Sequence, residues 1–153
     1  DVISCSLGPG NDTVISSRIL EIIFKFKTSD FQYFDCILYK GQEKYSYKWV
    51  HYIYSLERYV DYKNSEFIHP DEDLYKYITN IRTYQDFLKF YEEKDTYGLI
   101  KSKSITLKDQ KFDFFVIGRF DQKLYVSRKL KDELLKSNIS GVEFIRAYDL
   151  IIL

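Results

Sequence analysis

The sequence predicts an α+β fold, with two strand–helix–strand units around a central, mostly antiparallel sheet and a helical insert at about residues 70–95. Helically spaced apolar stripes alternate with runs of aromatic and β-branched residues along the chain. A shift of 111 residues places Val14–Tyr33 on Tyr125–Phe144 and repeats the order of strand, serine cap, helix, turn and strand. The length of 153 residues predicts a single domain over residues 1–153.

The first third of the chain predicts an irregular entry, a helix and a hairpin. Turn formers at residues 8–11 indicate an irregular segment over residues 1–12. A serine N-cap at Ser16 or Ser17 and an apolar stripe predict a helix over 17–27. Aromatic and β-branched runs at Phe31–Tyr39 and Glu43–Tyr54, separated by Gly41, predict two neighbouring strands.

Residues 70–98 predict a helical insert in two parts. The first helix has Pro70 at its first turn, acidic residues after it, and helically spaced apolar residues up to Ile81. The second begins at Thr83, which forms a capping-box-like pair with Asp86, and ends near Lys94. Gly98 marks the end of the insert.

The last third of the chain predicts alternating short elements. Strand-like runs occur at Ser104–Leu107, Phe112–Ile117 and Lys123–Val126. A helix is expected from Arg128 to Ser137, followed by an extended segment from Val142 to Arg146.

Composition argues against several classes of protein. Lys plus Arg and Asp plus Glu each total 23, so the formal net charge is zero and a phosphate-backbone binder is not expected. The longest stretch without a charged residue is residues 2–11, too short to span a membrane. Two cysteines form no disulfide framework, so a reducing compartment is expected. The aromatic content of 18% suits half-buried strands and protein interfaces alike.

Nothing in the sequence selects a catalytic, metal or cofactor site. The two histidines are His51, inside an aromatic strand, and His69, beside Pro70. Packing or a helix flank explains each more simply than a catalytic role. The Cys and His positions lack metal-ligand spacing, and no glycine-rich phosphate loop is present. We therefore expect no cofactor, no metal and no enzymatic activity.

Several segments resemble a known family. They are Leu124–Lys131, Leu134 and Ile139–Phe144 near the C-terminus, Val14–Leu20 at the first helix, and Asp61–Phe67 after the aromatic strand. Their apolar, serine and basic pattern, followed by a Gly–apolar–x–Phe strand, is similar to the immunity-protein-eleven family of bacterial polymorphic-toxin immunity proteins. The resemblance implies a cytoplasmic protein that binds and neutralises a cognate antibacterial toxin without chemistry of its own.

Such a protein works through shape and charge across its surface, with Tyr, Trp and Arg as energetic anchors. An acidic and aromatic surface would mimic the nucleic-acid substrate of a nuclease toxin. The residues expected to bind the toxin domain are therefore Tyr45, Tyr47, Trp49, Asp71, Glu72, Asp73, Tyr91, Glu92 and Glu93.

Two alternatives stay open. The first is a binding or scaffold module that self-associates as a homodimer through its aromatic strand edges. The second is a small hydrolase, which requires a polar cleft holding His51 or His69 beside a carboxylate. No nucleic-acid or membrane partner is expected in any of the three cases.

Overall fold

The computed structural model describes residues 2–4, 12–70, 75–93 and 100–153, and their fold is α+β, as predicted. Three mostly antiparallel sheets carry the strands. In chain order the elements are β1 (Val2–Ser4), β2 (Asp12–Ile15), α1 (Ser17–Ile23), β3 (Phe31–Lys40), β4 (Glu43–Tyr52), a 3₁₀ turn (Glu57–Tyr59), β5 (Glu66–Pro70), β6 (Tyr75–Ile78), α2 (Tyr84–Glu93), β7 (Lys101–Leu107), β8 (Phe114–Gly118), β9 (Asp121–Val126), α3 (Arg128–Lys136) and β10 (Leu150–Ile152).

The chain forms two compact units. Unit 1 comprises residues 1–54, 111–116 and 122–145, and unit 2 comprises residues 55–110, 117–121 and 146–153. The paired strands β8 and β9 run from one unit into the other. The expectation of a single domain stays a prediction.

Unit 1 is built on the sheet β1-β2-β4-β3, in which every neighbouring pair is antiparallel. The β3–β4 hairpin is its longest ladder, with ten consecutive residue pairs from Phe31↔Tyr52 to Lys40↔Glu43. One apolar cluster joins the base of this hairpin to both helices of the unit and to β8. Its buried members are Ile15, Ile19, Leu20, Ile22, Ile23, Val50, Tyr52, Phe114, Val116, Leu130 and Leu134.

Helices α1 and α3 begin in the same way. The N-cap residues Ser16 and Ser127 have φ/ψ values of −68°/152° and −68°/160°. Each serine hydroxyl accepts a hydrogen bond from the backbone N–H three residues later, at Ile19 (3.4 Å) and Leu130 (3.2 Å). Such a bond satisfies one of the free amides at a helix start. The predicted repeat therefore holds for strand, serine cap and helix.

Two expectations for unit 1 were wrong. Val2–Ser4, assigned to the irregular entry, is strand β1, which pairs with residues 13–15 of β2; residues 5–11 lie outside the described residues. The segment 142–146 is not a strand, so the second repeat stops after its helix. Phe144, the one half-buried residue of this segment, packs against the apolar cluster, and its ring lies 5.9 Å from the Lys131 ammonium.

Unit 2 is built on the sheet β10-β7-β5-β6, where β10 and β7 are parallel and the other pairs antiparallel. Helix α2 begins at the predicted capping box. The Asp86 backbone N–H donates to the Thr83 hydroxyl (3.1 Å), and the Thr83 N–H donates to the Asp86 carboxylate (2.9 Å). The hydrogen bonds from the Arg82 amide (3.0 Å) and from Thr83 to the Asp86 carboxylate lower the pKa of Asp86.

The first half of the helical insert was predicted wrongly. Residues 75–78 form strand β6, which pairs with β5 in the register Phe67↔Ile78. Four residues of alternating type fit a strand as well as a helix, and pairing with a neighbouring strand decided between them. Asp71, Glu72 and Asp73 lie outside the described residues.

We expect loss of either serine cap to destabilise the protein by about 1 kcal/mol, because one helix amide loses its acceptor. Ser16→Ala and Ser127→Ala are to be compared with the wild type by urea unfolding. Ser17→Ala is the matched control, since Ser17 lies inside α1 and is not its cap. Equal effects at Ser16 and Ser17 would contradict the assignment of the cap.

Candidate partner-binding surface

The predicted residues Tyr45, Tyr47 and Trp49 share one face of the β3–β4 hairpin. Directly opposed residues of an antiparallel pair project to the same side. The register places Leu38, Cys36 and Phe34 of β3 opposite them. We call the set Phe34, Cys36, Leu38, Tyr45, Tyr47 and Trp49 the aromatic face.

The three β3 residues of the aromatic face were missed by the sequence analysis. Phe34 is 49% exposed, and its ring centroid lies 5.6 Å from that of Trp49. The turn at Gly41 and Gln42 carried the missing signal, because a two-residue hairpin turn fixes the register on both sides of it. Counting the same number of residues back from the turn along β3 gives the residue opposite each β4 candidate.

The outer half of the hairpin is solvated on both sides. Strand β2 pairs only with residues 48–51 of β4, so the part nearer the turn extends past it. On the side opposite the aromatic face, Ile37 and Tyr39 of this outer half are exposed, and so is Tyr33 nearer the base, opposite Val50. The ammonium groups of Lys48 and Lys44 lie 6.0 and 5.7 Å from the rings of Tyr33 and Tyr39. A large apolar area is thus held in water on a two-stranded arm.

A polar contact fixes one member of the aromatic face, and packing holds another. The Tyr45 hydroxyl donates to the Glu43 carboxylate, and this hydrogen bond raises the pKa of Tyr45. The Trp49 indole nitrogen is buried and has no hydrogen-bond partner within the described part of the chain. The ring of Trp49 is therefore held by packing.

His51 and Asp12 form a cross-strand pair on the same side of the sheet as the aromatic face. The His51 Nδ1 atom lies 2.8 Å from the Asp12 carboxylate, and the two residues are directly opposed on β4 and β2. This pair meets one of the two conditions of the hydrolase alternative. The second condition is a polar cleft around the histidine, and that condition stays a prediction.

The remaining candidates belong to unit 2. Glu92 is exposed near the end of α2, whereas Tyr91 is half-buried and packs 5.8 Å from Phe87, centroid to centroid. Glu93 ends α2, and its side chain lies outside the described part. The packing of Tyr91 indicates a structural role for its ring.

A buried ion pair organises the core of unit 2. The Glu57 side chain is 3% exposed and accepts from the Arg119 backbone N–H (2.7 Å), Nε (3.0 Å) and an Nη (2.9 Å). These hydrogen bonds raise the pKa of Arg119. The guanidinium carbon lies 4.4 Å from the Tyr91 ring centroid. A Cβ atom at Gly118 would lie 2.4 Å from Glu57 Cγ, so only glycine leaves room for the pair.

A cleft of about 390 Å³ lies beside β5 and β6. Tyr62, Phe67 and Ile81 supply apolar walls, and Lys63 and Arg82 supply cationic side chains. Burial raises the pKa of Tyr62, whose hydroxyl donates to the Glu57 carbonyl. This hydroxyl is thereby held as a neutral donor, and Glu66 adds a carboxylate to the lining of the cleft.

Among the described residues, no group of three or more His, Cys, Asp or Glu side chains is placed to hold a metal ion. In the same part of the chain, no helix is both long and apolar enough to cross a bilayer. Comparison with known proteins gives no match: no family model, no curated protein and no solved structure matches this chain.

Removing Arg119 is expected to destabilise the protein strongly. Arg119→Ala leaves the buried Glu57 carboxylate without its cation, which costs about 3 kcal/mol, the low end of the usual range because Arg119 is partly solvated. Urea unfolding measures the loss. The control is Lys103→Ala, which breaks an exposed ion pair with Glu66 (3.3 Å) and is expected to change the unfolding free energy little. Equal effects would contradict the structural role of Glu57–Arg119.

Proposed function

We propose that this chain is an immunity protein that binds a cognate antibacterial polymorphic toxin in the bacterial cytoplasm and neutralises it by occlusion, without catalysis. The observation that carries the proposal is the aromatic face, in which Phe34 and Tyr45 are 49% and 41% exposed and whose outer part extends past strand β2. The resemblance of the strand, serine-cap and helix segments to the immunity-protein-eleven family supplies the class of partner.

The aromatic face has the chemistry of an interface core. Tyr and Trp are enriched among residues that dominate binding energy, because they bury much area at a small cost in side-chain entropy. Phe34 and Tyr45 are about half exposed in the free chain, so their area is still available for burial. A stable complex buries about 800 Å² on each partner. We expect the aromatic face and the residues around it to supply that area on this chain.

The pairing of Phe34 with Trp49 also favours a preformed surface. The β-ladder fixes the backbone of both residues, and the packed ring of Trp49 orients Phe34. A surface that is ordered before binding loses little conformational entropy when a partner docks. This supports occlusion by a rigid element.

The test is co-expression with the toxin domain encoded beside this gene. We expect growth to be rescued, and the purified proteins to bind one to one in titration calorimetry. Phe34→Ala and Tyr45→Ala are each expected to weaken binding by tenfold or more, as truncation of an interface anchor does. Tyr59→Ala is the matched control: Tyr59 is 46% exposed, close to the 41% of Tyr45, but belongs to unit 2.

Stoichiometry separates occlusion from catalysis. A protein that acts by occlusion neutralises at most one toxin molecule per molecule of its own. A hydrolase that acts on the toxin or on its product would neutralise the toxin in substoichiometric amounts. Protection at a small fraction of one equivalent, abolished by His51→Gln, would favour the hydrolase alternative. Absence of both rescue and complex would refute the proposed function.

A further inference from the structure

The outer edge of β3 carries a row of backbone hydrogen-bonding groups that face no other strand among the described residues. Strand β3 is the last strand of its sheet, and its pairing with β4 has no bulge over ten residues. Natural edge strands are normally shortened, bulged, covered or strongly charged, because an exposed flat edge pairs with other strands. Residues 31–40 contain two charged side chains, Asp35 and Lys40, and no proline. Within the described part of the chain, no strand pairs with this edge over residues 31–40, whereas Thr28 and Ser29 just before it pair with Phe114 of β8.

The ladder shows which groups point outward. The Ile53 N–H donates to the Asp30 carbonyl (3.0 Å), which marks residues 30 and 53 as a hydrogen-bonded pair. Such pairs alternate along an antiparallel ladder. Even-numbered residues of β3 therefore bond to β4, and the odd-numbered residues from 31 to 39 direct their N–H and C=O groups to the free edge.

The side chains along this edge are arranged almost as a palindrome around Cys36. Phe34 and Leu38 flank it at two residues, and Tyr33 and Tyr39 at three. A second copy of the strand, running antiparallel across a twofold axis at Cys36, sets Tyr33 opposite Tyr39 and Phe34 opposite Leu38. Cross-strand aromatic and apolar pairs of this kind stabilise a sheet.

Charge supports the same arrangement. Asp30 lies at the base of β3 and Lys40 at its tip, and neither takes part in an ion pair within the described chain. In the antiparallel pairing, Lys40 of each copy lies diagonal to Asp30 of the other, on the same face and within reach of a lysine side chain. At both ends of the paired strands, a positive charge of one copy therefore lies near a negative charge of the other.

We propose that two copies of this chain associate through their β3 edges, antiparallel and centred on Cys36, to form one continuous eight-stranded sheet. The hydrogen-bonded pairs are Tyr33 with Tyr39 and Asp35 with Ile37 of the second copy. The twofold axis is perpendicular to the sheet, so both aromatic faces point to the same side and join into one surface. The pairing does not depend on the identity of the toxin.

Sedimentation equilibrium of the full chain tests the association. We expect a dimer whose dissociation constant rises at least tenfold in Ile37→Pro, because proline removes an outward N–H while leaving the bonds to β4 intact. Ile37→Thr, which keeps that N–H, is the matched control and is expected to remain dimeric. Circular dichroism and thermal unfolding establish that each variant is folded. As a second test that needs no proline, Asp30→Lys is expected to weaken the dimer severalfold, and adding Lys40→Glu to restore it.

Disulfide cross-linking tests the register. In the proposed pairing Cys36 faces its own copy at a non-hydrogen-bonded position, where Cα atoms are about 4.5 Å apart, a distance that a disulfide spans. The Cys5→Ser variant is therefore expected to form a covalent dimer under mild oxidation. Cys5→Ser/Cys36→Ser/Ile37→Cys is expected to form none, because residue 37 faces residue 35.

Three outcomes would overturn the proposal. They are a monomer at all concentrations, a dimer insensitive to both Ile37→Pro and Asp30→Lys, and cross-linking through residue 37 in place of residue 36. A monomer whose Ile37→Pro variant loses toxin binding would assign the edge to the toxin, and would refute the pairing of copies while leaving the proposed function standing.

Discussion

The ten-pair ladder between β3 and β4 is the constraint on which unit 1 depends. Strand β4 pairs with β3 on one side and β2 on the other, so its register sets the position of every residue in the sheet. The base of the ladder, at Val50 and Tyr52, contributes to the apolar cluster under α1 and α3. The same ladder continues past β2, and that excess length carries the outer part of the aromatic face, which is Cys36, Leu38, Tyr45 and Tyr47. Core and surface are consequences of one pairing.

Local patterns in the sequence predicted the elements that local interactions determine. The serine caps at Ser16 and Ser127, the capping box at Thr83 and Asp86, and the hairpin around Gly41 each involve residues close together in the chain. The predictions failed where the secondary structure of a segment depends on a partner that is distant in the sequence. Residues 75–78 form a strand because β5 is beside them, and residues 142–146, where Phe144 packs against the apolar cluster, form none.

The candidate surface could be predicted only in part, for a related reason. Tyr45, Tyr47 and Trp49 are recognisable as one face of one strand, but their neighbours Phe34 and Leu38 follow only when the register is fixed. The His51–Asp12 pair joins residues 39 positions apart through the β2–β4 register, which no spacing rule supplies. Glu57 and Arg119 are 62 positions apart and carry no motif, so their pairing is visible only in three dimensions.

Gly118 ties three positions of the unit 2 core to one another. Any side chain at residue 118 would occupy the space of the Glu57 methylene. A Glu57 carboxylate without Arg119 would in turn be buried with no counter-charge. Residues 57, 118 and 119 are therefore coupled, and the effect of a substitution at any one of them is expected to depend on the residues present at the other two.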